Sequence, residues 1–176
     1  MFLFRSKKTS KLTNIEKEKI LNLKNRFWNK GIKSQKIWFK ENIKSLDTHN
    51  LLFLNKKLIG YTCLRYRSVL IKKKLSKYLL FDTLVIDKNN RKKGLGSILM
   101  MFNNIIIENH NLPSFLVCEK KTINFYKQNK WKLLKNNLFS IKDENYDLKF
   151  GMIFNYIKKN NLQFWVNNEL RFLKKR

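Results

Sequence analysis

The chain is poor in the residues that hold metals or make disulfides, with 2 histidines and 2 cysteines among 176 residues. His49, His110, Cys63 and Cys118 stand far apart and give no metal-ligand spacing, so no metal is expected. Both cysteines lie in apolar, strand-like stretches, which predicts reduced, structural thiols and a cytoplasmic protein. No apolar run approaches the ~20 residues of a membrane span, so no membrane partner is expected. The opening "MFLF" is followed by the charged "RSKK" and has no long apolar region, so no secretory signal is expected. Proline occurs once and glycine only 5 times, yet Gly94 and Gly96 stand two apart. Backbone freedom concentrated there asks for a reason.

Acidic residues are also scarce, 12 against 39 lysines and arginines, for a net charge of +27. Such a charge raises a nucleic-acid partner. However, the lysines run along the whole chain without forming a stripe. Asparagine and isoleucine are abundant with them, the pattern of a low-GC genome, so the charge reads as compositional. At 43% hydrophobic and 14% aromatic residues, the chain is long and apolar enough for a core.

Residues 2–5 read as a short strand. "TNIEKEKILNLKNRFW" reads as a helix with Thr13 and Glu16 as a capping box and Ile20, Leu23, Phe27 and Trp28 on one face. Gly31 ends it, and "SQKIWFKENIK" is a second helix capped by Ser34. Two strands joined at residues 55–57 follow, then a third, "KYLLFDTLVID". Next comes a helix over residues 97–109, with Ile98, Met101, Phe102, Ile105 and Ile106 at helical spacing, broken near Pro113. "SFLVC" is a buried strand and "KKTINFYKQN" a short helix. "WKLL" pairs with "YDLKFGMIFNYI" as a hairpin across the polar stretch near residues 142–145. His110 is expected to end its helix and Cys118 to pack in the sheet. The order predicts an α+β fold with a mainly antiparallel sheet. We expect one domain over residues 1–157, then a basic, helical extension over 158–176.

The two glycines sit between the strand ending at Val85 and Ile86 and the helix leaving near Ser97. The first N–H groups of a helix lack intrahelical partners, and the positive end of its dipole points the same way. With Arg91, Lys92 and Lys93 alongside, the stretch reads as a cradle for a phosphate or pyrophosphate. It is not a P-loop, because no Gly-Lys-Ser/Thr follows at the required spacing. Nor is it the dinucleotide fingerprint, because Leu99 stands where the third glycine belongs. What remains is Arg91-x-x-Gly94-x-Gly96.

In its surroundings, "LLFDTLVIDKNNRKKGLGSILMMF" followed by "PSFLVCEKKTINFYKQNKWKLL", the chain resembles the GCN5-related N-acetyltransferase (GNAT) superfamily. The resemblance follows the order of elements over residues 51–134, and its specific motifs fall in 82–131. It implies an acetyl-CoA co-substrate and a mainly antiparallel sheet flanked by helices and splayed where pantetheine lies. Leu84, Val85 and Ile86 would line pantetheine and the thioester. Arg91, Lys92, Lys93, Gly94, Leu95, Gly96 and Ser97 would hold the pyrophosphate. Tyr126 matches the family's general acid. Asp82, on the same face as Leu84 and Ile86 by strand alternation, is the candidate base, directly or through water, or an anchor for a cationic acceptor. Two positions depart from the family pattern: Lys130 replaces a glycine before the aromatic Trp131, and Glu119 replaces an asparagine.

The function implied is direct acetyl transfer to a primary amine of a small molecule: a metabolite, an amino sugar or an aminoglycoside-like compound. A monomer or homodimer is expected. The alternatives are an acetyltransferase acting on a protein amine, a non-enzymatic basic nucleic-acid-binding module, and an acetyl-CoA-binding domain without catalysis.

Overall fold

The structure is a computed structural model that describes residues 1–134, 139–141, 150–155 and 169–173. The strands are β1 (Phe2–Lys8), β2 (Thr48–Leu54), β3 (Lys57–Ile71), β4 (Lys74–Ile86), β5 (Ser114–Cys118), β6 (Lys132–Leu133), β7 (Phe139–Ile141), β8 (Phe150–Phe154) and β9 (Leu170–Phe172). The helices are α1 (Asn14–Trp28), α2 (Ile32–Asn42), α3 (Leu95–Asn109) and α4 (Ile123–Gln128). The strands run in the order β1-β2-β3-β4-β5-β8-β6, and β9 pairs with β3 and β7. Pairing is mainly antiparallel, which gives the α+β architecture expected from the order of elements. The β4–β5 and β7–β9 pairs are parallel. The β4–β5 ladder comprises Leu79–Ser114 and Leu80–Phe115.

The chain divides into two compact units. The first, Met1–Arg65 with Asp82–Asn103, holds β1, β2, α1 and α2. α1 begins as its sequence dictates: Thr13 accepts from the Glu16 amide at 3.1 Å, and Glu16 accepts from the Thr13 amide at 2.9 Å. It ends at Asn29, which takes the left-handed conformation. Gly31, at φ 80°, turns the chain into α2 and caps it. Ser34, expected as that cap, therefore lies inside the first turn. β2 and β3 form a hairpin across Asn55 and Lys56, both at positive φ, the geometry of a two-residue turn that follows the strand twist.

Two apolar clusters fill this unit. Ile20 and Leu23 of α1 pack with Leu51, Tyr61, Cys63 and Val85. Leu95 and Leu99 of α3 pack with Leu52, Ile59 and Ile86. Gly60 lets these side chains pack close to the strand: a Cβ would come within 2.9 Å of the Ile86 tip and 3.2 Å of the Leu99 tip. Phe27 and Trp28, expected on the buried face of α1, stay partly exposed, at 42% and 37%. The face expected for α3 is also displaced. Ile98, Met101 and Ile105 are exposed, whereas Leu95, Leu99, Asn103 and Ile107 are buried. Apolar residues occupy most positions of this helix, so its pattern permits more than one stripe, and the partners select which is buried.

The second unit is Tyr66–Phe81 with Asn104–Arg176. Its core joins Val69, Ile71, Tyr78, Phe115, Ile153, Leu170 and Phe172, with the Phe115 and Phe172 rings stacked at 3.8 Å. β6 pairs antiparallel with β8, as the expected hairpin requires; its turn near 142–145 lies outside the described residues. Part of the extension expected to be helical forms β9 instead, pairing with Val69, Leu70 and Ile71. Long-range backbone pairing overrides its helical pattern there; residues 158–168 and 174–176 of the expected extension lie outside the described residues.

Candidate active site

The strand-to-helix junction is built from the end of β4 and the start of α3. Asp87 closes the strand. Its amide donates to the Ile59 carbonyl at 2.7 Å, and its carboxylate accepts from the Asn89 amide at 3.2 Å and pairs with Arg26 at 3.2 Å. Arg91 is held by two contacts. Its Nε donates to the Ile86 carbonyl at 3.0 Å, and its guanidinium lies 4.7 Å from the centre of the Phe27 ring. Its terminal nitrogens remain as donors.

Lys92 and Gly94 both have left-handed backbone, at φ 59° and 73°. Such alternation turns successive amides toward one point, the shape that holds anions. The Gly94 carbonyl accepts from Ser97 and Ile98 as α3 starts, and the amides of Leu95 and Gly96 have no intrahelical acceptor by position. A Cβ on Gly94 would meet nothing within 4 Å. Lys92, Lys93, Gly94 and Ser97 are exposed, and the buried Leu95 anchors the loop. The loop is thus open and cationic at the start of a helix.

β4 enters the junction with a distortion. Thr83 has φ 63°, a strained conformation for a β-branched residue. The distortion breaks the period-two alternation. Val85 packs with α1, while Leu84 and Ile86 pack with α3. Asp82 does not share the face of Leu84 and Ile86, as alternation predicts. It lies instead with α1 and α2, where its Oδ2 accepts from Arg65 Nη1 at 2.9 Å. Thr83 Oγ1 donates to Asp82 Oδ1 at 3.3 Å.

Asp82 and Thr83 line a cavity of about 320 Å³ with Lys24 and Trp28 of α1, Lys30, and Ser34, Gln35 and Trp38 of α2. Lys24 is buried, with its Nζ 3.5 Å from the centre of the Trp38 ring. Burial lowers its pKa to about 8, partly opposed by the charge of Asp82. Nothing in the sequence singled out Lys24 among so many lysines; only its position after Leu23 on a helix with a buried stripe hinted at it.

The remaining candidates are inert or separate. Burial pushes the Cys63 thiol up, as it does that of Cys118, which is buried in β5. His49 sits between Thr9 and Tyr61, at 2.8 Å from each, and burial depresses its pKa to about 4. His110 follows the end of α3, with Nδ1 2.8 Å from the Tyr66 hydroxyl. Among the described residues, no group of three His, Cys, Asp or Glu could hold a metal ion.

Tyr126 lies on α4, in the second unit. Its ring meets Phe81 edge-on at 6.4 Å and Trp131 at 6.3 Å. Burial, followed by the charge of Cys118, raises its pKa, so the phenol keeps its proton. Lys130 has φ 68°, the left-handed conformation that explains why a glycine is usual at this position. Trp131 is buried, and its indole donates to Asn104 at 3.0 Å.

No family model matches the sequence, and no curated protein matches it. Solved structures do match. The GNAT family N-acetyltransferase YhbS from Escherichia coli, in complex with CoA, superposes with a TM-score of 0.68 at 12% identity, covering 97% of this chain and 89% of that one. ElaA from Escherichia coli gives 0.66 at 15% identity, covering 87% and 99%. An aminoglycoside 6'-N-acetyltransferase complexed with coenzyme A gives 0.62 at 11% identity, covering 85% and 96%. With element order and sheet topology already in agreement, the chain has the fold of the GCN5-related N-acetyltransferase superfamily.

Proposed function

We propose that the chain is an acetyl-CoA-dependent N-acetyltransferase whose acceptor is a primary amine of a small molecule. The observation that carries this reading is the open loop of residues 91–97, with left-handed backbone at Lys92 and Gly94 and three cations at the start of a 15-residue helix. Its amides would bind the pyrophosphate of acetyl-CoA. Arg91, pinned to the Ile86 carbonyl, would add its terminal nitrogens. Backbone groups of Leu84, Val85 and Ile86 would line pantetheine, and one N–H would polarise the thioester carbonyl.

The transfer itself asks little of side chains. The amine loses a proton, its nitrogen bonds to the acetyl carbon, the C–S bond breaks, and the sulfur takes a proton. Tyr126, kept protonated by burial, would supply the last of these. Asp82, oriented by Arg65 and Thr83, would take the first proton directly or through water, or would anchor the acceptor's ammonium. Holding both reactants together would supply much of the rate.

Calorimetric titration with CoA tests the reading. Wild type is expected to bind. A folded Gly96→Glu variant, which puts bulk and negative charge into the cradle, is expected to lose binding. Equal affinity in the two proteins would overturn the assignment.

A further inference from the structure

Lys24 is the buried charge that acetyl transfer leaves unused. It is 5% exposed and lines the cavity between α1, α2 and β4. Its ammonium faces aromatic rings, 3.5 Å from Trp38 and 5.7 Å from Trp28. Among the described residues, no carboxylate comes within ion-pairing distance of it. The cavity's one acid, Asp82, is engaged by Arg65. Arg65 itself lies 5.4 Å from the Trp38 ring, and its buried Nε has no hydrogen-bond partner among the described residues. Lys24, Lys30 and Arg65 thus stand against Asp82 alone, an excess of two positive charges.

A buried ammonium without an anion is costly, and two aromatic faces repay only part of that cost. A polycationic ligand would meet two cations in the cavity lining, Lys24 and Lys30, with Arg65 beside Asp82. A ligand with an anionic group would complete the pairing, and the Trp38 face would take an apolar body. Asp82 leaves room for one ammonium on the same ligand. We propose that this cavity receives an amine that also carries a carboxylate, with the carboxylate on Lys24 and the apolar body against Trp38. The acetyltransferase reading enters only in naming this ligand as the acceptor; the anion site stands without it.

Two measurements test the proposal separately. The first is calorimetry with 3-phenylpropionate and its uncharged isostere 3-phenylpropanamide, without CoA. A charge-assisted contact predicts that the carboxylate binds roughly 10-fold tighter or more. In Lys24→Met that preference should fall to about one. Equal binding of the two probes by wild type overturns the proposal, and this comparison needs no variant to fold. The second measurement is acetyl transfer to phenylalanine, phenethylamine and kanamycin. A higher kcat/KM for phenylalanine than for the other two supports the proposal, and preference for phenethylamine or kanamycin overturns it. Carboxylate binding with no amine acetylated keeps the anion site and overturns the enzymatic reading alone.

Discussion

The ammonium of Lys24 lies 3.5 Å from the centre of the Trp38 ring. Burial lowers its pKa from 10.5 to about 8, and the charges of Asp82, Cys63, Arg65 and Lys30 modulate the shift. The fold thus carries a destabilising charge in a cavity wall, where a well-packed apolar side chain would cost nothing.

Replacing that charge should stabilise the protein. Below about pH 8, folded and unfolded chains both hold the proton, and the folded state bears the full burial penalty. Between pH 8 and 10.5 the unfolded chain holds a proton that the folded one has shed, so wild-type stability rises with pH. Lys24→Met should therefore be more stable than wild type at pH 7, by on the order of 1–3 kcal/mol after the lost cation–π contacts are counted. The gain should shrink as pH passes from 8 to 10.5. Urea unfolding of both proteins across that range checks it. A destabilised variant at pH 7 would show that Lys24 is held by interactions stronger than its burial penalty.

Tyr126 and Asp82 should fail in different ways. Tyr126→Phe keeps the ring against Phe81 and Trp131 but removes the proton offered to the leaving thiolate. The loss should fall on kcat, roughly 10–10³-fold, with CoA affinity nearly unchanged. Asp82→Asn should lower the rate most below neutral pH and partly recover at high pH if Asp82 takes the amine's proton. If it anchors the ammonium, KM should rise at every pH. Parallel pH–rate profiles separate the two, and full activity in both variants would remove both residues from the chemistry.

Lys130 takes the left-handed conformation at φ 68° just before the buried Trp131. A side chain there costs about 1 kcal/mol relative to glycine. Lys130→Gly should raise stability by up to about that amount, because the greater freedom of glycine in the unfolded chain offsets part of the gain. Chemical denaturation of the pair measures it, and a destabilised variant would mean that the lysine makes compensating contacts.

Local chemistry was legible in the sequence wherever a signal acts within about one turn of chain. Thr13 and Glu16 announced the start of α1 because both halves of a capping box lie three residues apart. The hairpin across Asn55 and Lys56 lay between two apolar runs, where the sequence put it. Arg91, Gly94 and Gly96 marked the junction where β4 gives way to α3, because glycines after a strand and before an apolar helical run signal such a turn. Tyr126 was named by resemblance, and strand alternation misplaced Asp82. One residue at φ 63°, Thr83, turns that carboxylate toward α1 and α2, and no pattern of side chains announces a backbone distortion.

The larger misses share a cause. α3 is apolar at most positions, so its sequence permits several buried faces. Packing on Leu52, Ile59 and Ile86 chose Leu95 and Leu99, and Asn103 was buried to accept from Asn50 and Thr62 at 2.7 and 3.0 Å. Leu170, Arg171 and Phe172 pair with β3 and β7 despite a helical pattern, because backbone pairing with distant strands outweighs a weak local preference. Lys24 is one lysine among many in the sequence. Only the approach of Trp38 from a second helix and Asp82 from a strand some sixty residues away makes it a buried charge in a cavity. Composition and spacing determined most of the elements and the strand-to-helix junction at residues 91–97. Contacts between residues far apart in the chain decided which faces are buried, and so what the cavity can bind.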